Sequence, residues 1–213
     1  MKRVNKTEFS DGLAEPDTRA RILEAALAEF ARHGFAGARV DHIAQLAGIN
    51  KAMIYYHFAS KDKLYESAIE EYVAGFIGEL SGKVSSGEGI EGILESMADT
   101  YRRVLGSDPY ARQILLRELA YPRGKILSRI ASVIRDSGVP ATLAAILREG
   151  AKVEKFRPID VRQAQASFVL MNIGYFLMAP IINEVLALED IGNFVNERRS
   201  AVIDLFLNGV RAR

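Results

Sequence analysis

Residues 40–61 read Val-Asp-His-Ile-Ala-Gln-Leu-Ala-Gly-Ile-Asn-Lys-Ala-Met-Ile-Tyr-Tyr-His-Phe-Ala-Ser-Lys, two short helical segments hinged at a single glycine. A helix-turn-helix needs a small residue where its helices cross, a left-handed residue in the turn and an apolar anchor on the second helix. Ala44, Gly48 and Ile54 meet those needs in that order. Glycine takes the left-handed turn at no steric cost, whereas a large side chain at position 44 would push the second helix off the first. The stretch therefore predicts a DNA-reading element.

Outward from it, almost every segment repeats its apolar residues with helical rather than alternating spacing, which predicts an all-α chain without a sheet. A first helix is expected from Asp17 or Thr18, either able to cap it, to His33, where Gly34 supplies a left-handed end and residues 35–39 form a loop. Ser60 caps a long helix running from Lys61 to about Leu80, and the Gly- and Ser-rich residues 81–89 break it. Further helices are expected at about 90–106, 109–120, 123–137, 140–155, 158–188 and 192–210, with Pro109, Pro122 and Pro140 placed where a first helical turn tolerates them. The organisation predicted is a flexible arm over 1–16, a three-helix helix-turn-helix domain over 17–60, and a larger helical domain over 61–213.

A formal charge of +1, and ten Lys/Arg against eight Asp/Glu between Met1 and Lys63, leave any DNA affinity to charge placement rather than bulk charge. The absence of cysteine excludes disulfides, thiol catalysis and thiolate metal sites. It fits a cytoplasmic protein, as does a polar opening to the chain without a secretory signal. Residues 163–183 are uncharged and approach the ~20 residues of a membrane span. They contain Gln163, Gln165, Asn172 and Pro180 between Arg162 and Glu184, and so read instead as an interior or interface helix with no membrane role. The three histidines, His33, His42 and His57, lack the spacing of a metal motif, and no carboxylate pair, Ser/His/Asp set or phosphate loop has catalytic spacing. Neither a metal, a cofactor nor an enzymatic activity is expected.

Ile43-Ala44, Ala47-Gly48-Ile49, Tyr55-Tyr56-His57-Phe58 and Ser60-Lys61, with Arg21-Ile-Leu-Glu-Ala-Ala and His33-Gly34-Phe35 upstream, resemble the tetracycline-repressor (TetR) family of bacterial regulators. The likeness covers roughly residues 17–65. It implies an amino-terminal DNA-binding domain, a helical ligand domain, homodimerisation through the last two helices, and ligand-controlled release of a double-stranded operator. In such a motif the second helix enters the major groove by its amino-terminal end, which puts Lys51, Ala52 and Met53 nearest base edges and Tyr56 one turn later. Lys51 can bond guanine acceptors, and Ala52 and Met53 can meet a thymine methyl. Asn50 is expected to cap the recognition helix, while Tyr55, His57 and Lys61 match family positions at the phosphate backbone. The chain departs from the family where Ala38-Arg39 replace a usual Thr or Ser, removing a cap worth about 1 kcal/mol and leaving Arg39 to grip a phosphate. It departs again where Asn50 and Ala52 replace a usual Ser or Thr and a usual Gly.

In the larger domain Met97, Tyr101, Leu115, Leu119, Tyr121, Phe168, Met171, Tyr175 and Phe176 are candidates to line a cavity for an apolar or aromatic effector. The same residues at helical spacing would also build a solid core. Arg102, Arg103, Arg112, Arg117 and Glu118 are candidate charged anchors. On the last helix Ala201, Val202, Leu205, Phe206 and Gly209 make one broad apolar face, suited to a four-helix dimer interface. The chain thus reads as a ligand-responsive regulator and most simply a repressor, the alternatives being a DNA-binding protein with no sensor or an enzyme in the helical domain.

Overall fold

The computed structural model describes residues 15–84, 89–153 and 155–211, and the arm expected over 1–16 falls almost wholly outside them. Among the described residues there are ten helices: α1 (Glu15–Gly37), α2 (Val40–Ala47), α3 (Lys51–Phe58), α4 (Lys61–Val84), α5 (Ile90–Ser107), α6 (Pro109–Ala120), α7 (Ile126–Asp136), α8 (Val139–Lys152), α9 (Val161–Val185) and α10 (Ile191–Val210). The only extended pairing among those residues is one bridge between Phe156 and Arg211. They form two compact units, and the division falls inside α4 between Ala68 and Ile69.

In the amino-terminal unit, α1 begins at Glu15, so Asp17 and Thr18 stand inside its first turn rather than at its cap. Gly34 breaks it as expected, with φ 67° and ψ 174°, but residues 35–37 resume a helical turn instead of a loop. Phe30 is 2% exposed and meets Tyr65 edge-on at 4.7 Å, and Phe35 meets the same ring at 5.3 Å, which pins α4 to α1. Gly48 closes α2 in the left-handed conformation, φ 67° and ψ 36°. The reversal is completed by Gly48 N–H donating to Gln45 O and Ile49 N–H to Ala44 O. A Cβ at Gly48 would have only Arg21 Nη1 nearby, at 3.9 Å, so the backbone angle and not crowding demands glycine there. Ala44 of α2 and Ile54 of α3 are both buried.

The carboxy-terminal unit builds one main core from Ile77 and Leu80 of α4, Leu94 and Met97 of α5, Leu143 and Leu147 of α8, Phe168 of α9 and Phe206 of α10. A second, smaller cluster joins Val104, Leu105, Ala111, Tyr175 and Phe176. Aspartates start three of its helices: Asp108, Asp160 and Asp190 accept main-chain N–H groups at the first turns of α6, α9 and α10. Helix α8 stops at Lys152, earlier than its periodicity suggests, because Lys155 and Phe156 fold back to donate to Gly150 O and Phe156 enters the core. Helix α4 runs on to Val84 through the first residues of the expected break.

Helix α9 is long and apolar enough to cross a membrane, with a mean hydropathy of 1.5 over its best window, of which 22% is buried. Its inward face carries Phe168, Asn172, Tyr175 and Phe176. Leu170, Met178, Ile181 and Val185, between 53% and 76% exposed, line the opposite face. The apolar face expected on α10 divides: Val202 and Phe206 enter the core, while Ala201, Leu205 and Gly209 face outward.

Gly48→Ala keeps every side-chain contact but forces a Cβ into the left-handed region. It is expected to lower stability by about 1–2 kcal/mol, and Gly48→Asn by less. Thermal melts of the three proteins check this; a Gly48→Ala melt equal to the parent's would refute it.

Candidate nucleic-acid interface and cavity

Helix α3 starts from Asn50, which has extended backbone angles and whose Oδ1 accepts the Met53 N–H at 3.0 Å. One turn is thereby fixed at the point where the helix presents Lys51 and Ala52, both exposed, and Met53, half-buried. Ile54 and Phe58 are the residues that α3 buries. Tyr55 is 43% and Tyr56 74% exposed, so of the adjacent pair Tyr56 is the free ring, standing edge-on to His57 at 5.3 Å. Ala59 ends the helix at φ 59°, and Ser60 Oγ then accepts the Lys63 N–H at 3.1 Å, the cap expected for α4.

The cations have partners of their own. Lys51 Nζ lies 3.0 Å from Asp41 at the first turn of α2, in a pair exposed on both sides, which contributes little to stability. Lys61 lies over the Phe35 ring at 4.7 Å, a cation-π contact that holds it near the start of α4. Arg39 is exposed at the amino-terminal end of α2 and caps nothing with its side chain.

The missing cap is replaced from another helix. Glu29 of α1 is 2% exposed, and its Oε1 accepts the Arg39 N–H at 3.1 Å. Its Oε2 lies 2.6 Å from His42 Nδ1 and 3.7 Å from His33 Nε2. Burial pushes the Glu29 pKa up, but the Arg39 N–H and His42 more than offset this and hold it below the ordinary carboxylate value. A buried carboxylate at a helix amino terminus satisfies an orphan N–H and complements the dipole, so Glu29 fixes α2 against α1. Sequence reading missed it, since one glutamate on an amphipathic helix looks solvated.

The nine cavity candidates separate. Met97, Tyr101 and Phe168 are buried in the main core, where burial pushes the Tyr101 phenol up to about 12. Tyr175 and Phe176 line a cavity of about 490 Å³ formed by α5, α6, α9 and α10. Leu115 packs beside the small cluster, and Met171 lines a different cleft with Leu205 and Phe206. Leu119 and Tyr121 face solvent, 54% and 82% exposed, because α6 turns Ala111, Ile114 and Glu118 inward and Tyr121 lies past its end. Gly106, Ala179, Pro180, Asn183 and Val195 complete the cavity together with Arg102 and Arg112. Of the other charged candidates, Arg103 pairs with Glu79, and buried Glu118 accepts the Arg123 N–H at 3.2 Å. No group of three metal-ligating side chains occurs among the described residues.

Residues 22–68 match the sequence profile of bacterial regulatory proteins, tetR family. The HTH-type transcriptional repressor SCO4008 of Streptomyces coelicolor is 56% identical over 54 residues, 25% of this chain and 28% of that protein. The match thus spans little more than a quarter of that relative. The HTH-type transcriptional regulator UidR of Escherichia coli is 24% identical over 83% of this chain and 87% of its own length. Among solved structures, FadR of Bacillus subtilis in complex with stearoyl-CoA superposes with a TM-score of 0.72 at 19% identity, over 90% of this chain and 99% of that one.

A lowered carboxylate pKa stabilises the fold above the carboxylate range and loses that contribution as pH falls through the lowered value. Glu29→Gln is expected to cost about 1–3 kcal/mol at neutral pH, with the gap to the parent shrinking on acidification. Melting curves across pH test it, and a gap independent of pH would show that the Glu29 charge is not involved.

Proposed function

We propose that this chain, whose residues 22–68 match bacterial regulatory proteins of the tetR family, is a cytoplasmic, dimeric, ligand-responsive transcriptional regulator, acting as a repressor on a palindromic operator. The observation that carries this reading is the presentation of α3. Its amino-terminal turn is capped by Asn50 and its apolar side is sunk in the unit, so Lys51, Ala52 and Tyr56 are exposed with Met53 half-buried among them. Lys51 is the proposed base reader, exchanging Asp41 for guanine acceptors. Ala52 and Met53 supply apolar contact to a thymine methyl. Arg39, Tyr55, His57 and Lys61 fix register on the phosphates.

The outward stripe of α9, with Leu205 of α10, supports dimerisation through the last two helices. Leu170, Met178, Ile181 and Val185 recur at helical spacing on one face and are unburied in a single chain. Two such faces would form a four-helix interface and hold two α3 helices roughly 34–36 Å apart, one DNA turn. The cavity beside Phe176 favours a sensor over a DNA-binding protein without one. A ligand that binds the DNA-free arrangement more tightly releases DNA by population shift. The named relatives are regulators rather than enzymes.

Lys51→Ala is expected to weaken operator binding by about 1–3 kcal/mol and leave random-duplex binding nearly unchanged. Titrating both DNAs decides it, since equal losses would move Lys51 to the phosphates. Ile181→Glu places a charge in the proposed interface and is expected to give a monomer by sedimentation, with operator binding lost; an intact dimer would shift the interface elsewhere.

A further inference from the structure

The cavity of about 490 Å³ in the carboxy-terminal unit is lined by two arginines, Arg102 of α5 and Arg112 of α6, and by no acidic residue. Neither guanidinium is saturated. Among the described residues, Arg112 reaches only a main-chain carbonyl, Leu105 O at 3.5 Å. Arg102 stands 3.6 Å from Asp99, and both side chains of that pair are more than a third exposed. Across the cavity, the Asn183 carboxamide oxygen accepts the Tyr175 hydroxyl at 3.0 Å, which leaves the amide N–H groups to donate. The remaining wall is mixed, with Phe176, Ala179 and Val195 as its apolar part and Ser107 and Asn196 as further polar groups.

A narrower recess shares Arg102, Phe176 and Val195 with this cavity and brings in Arg198 and Arg199, the latter paired with Glu95 at 2.8 Å and with Asp99 at 3.1 Å. The Arg198 guanidinium lies over the Tyr175 ring at 5.1 Å and donates from Nη2 to Met171 O at 2.7 Å. Its Nε is buried without an acceptor, and no carboxylate pairs with it among the described residues. Arg102 and Arg112 thus line the cavity itself, Arg198 and Arg199 stand in the recess beside it, and Asp99 and Glu95 are the carboxylates paired among these four cations, so the local field favours an anion. The guanidinium fork matches a carboxylate in geometry as well as charge.

We propose that this cavity binds an amphipathic monoanion: a carboxylate held by Arg102 and Arg112, and an apolar body laid against Phe176, Ala179 and Val195. The assignment rests on the ligand-sensing reading above and adds to it the effector's charge and orientation. Arg198 lies beyond the head group and raises the potential there.

Calorimetric titration of the full chain with 2-naphthoate and with 2-naphthamide, a neutral molecule of nearly the same shape, tests it. The carboxylate is expected to bind about tenfold more tightly than the amide. Arg102→Gln and Arg112→Gln should each remove about tenfold from naphthoate and leave naphthamide within about twofold, with Arg112→Lys restoring part of the loss. Equal binding of the two molecules to the parent protein would overturn the proposal without needing any variant. If Val195→Trp then abolished that equal binding, the cavity would stand as a ligand site without charge selectivity and the sensing reading would survive. Binding of neither molecule would overturn both.

Discussion

The placement of α3 depends on a single backbone constraint, the left-handed turn at Gly48. With φ at 67°, the chain reverses within three residues and sets the angle between α2, which buries Ala44, and α3, which buries Ile54. Every exposed residue of α3 takes its direction from that angle. A second constraint works alongside it. The Glu29 carboxylate, buried in α1, accepts the Arg39 N–H and so fixes the start of α2 from another helix. The turn sets α3 against α2, and the carboxylate sets α2 against α1. Charge placement on this scaffold is modest: Lys51 and Lys61 are each engaged locally, by Asp41 and by the Phe35 ring. The Lys51–Asp41 pair, exposed on both sides, contributes little to stability.

The carboxy-terminal unit follows a different logic. Its main core joins α4, α5, α8, α9 and α10, and Met97, Tyr101 and Phe168 belong to it. The cavity lies off this core beside the smaller cluster, where the end of α5 and the start of α6 approach α9 and α10. Asp108 stands at that junction. Its Oδ1 accepts the Tyr110 N–H at the start of α6, and its Oδ2 accepts the Tyr72 hydroxyl of α4 at 2.5 Å. A ligand displacing the α5–α6 connection would thus act on α4 through a hydrogen bond already in place.

Much of this was legible in the chain because local rules decide it. Gly48, the caps at Asn50 and Ser60, and the near-coincidence of the expected and observed bounds of α5, α6 and α10 all follow from periodicity and end signals. Glu29 was not legible, because its partner lies ten residues away across a turn and a lone glutamate reads as solvated. The cavity was only half legible. Aromatic spacing selects Tyr175 and Phe176 but equally selects Phe168, which fills the core, and Leu119, which faces solvent. Which apolar residue meets empty space depends on how four helices pack, and no single helix encodes that. Small residues such as Gly106 and Ala179 make the space and carry little sequence signal.

The central claim is that α3 reads DNA from a two-fold dimer, and selection of bound sequences from random duplex DNA by the full chain tests it most directly. The account predicts an inverted repeat whose half-site centres lie about 10–10.5 base pairs, or a multiple of that, apart. Recovery of unenriched DNA, or of a single half-site without symmetry, would contradict it.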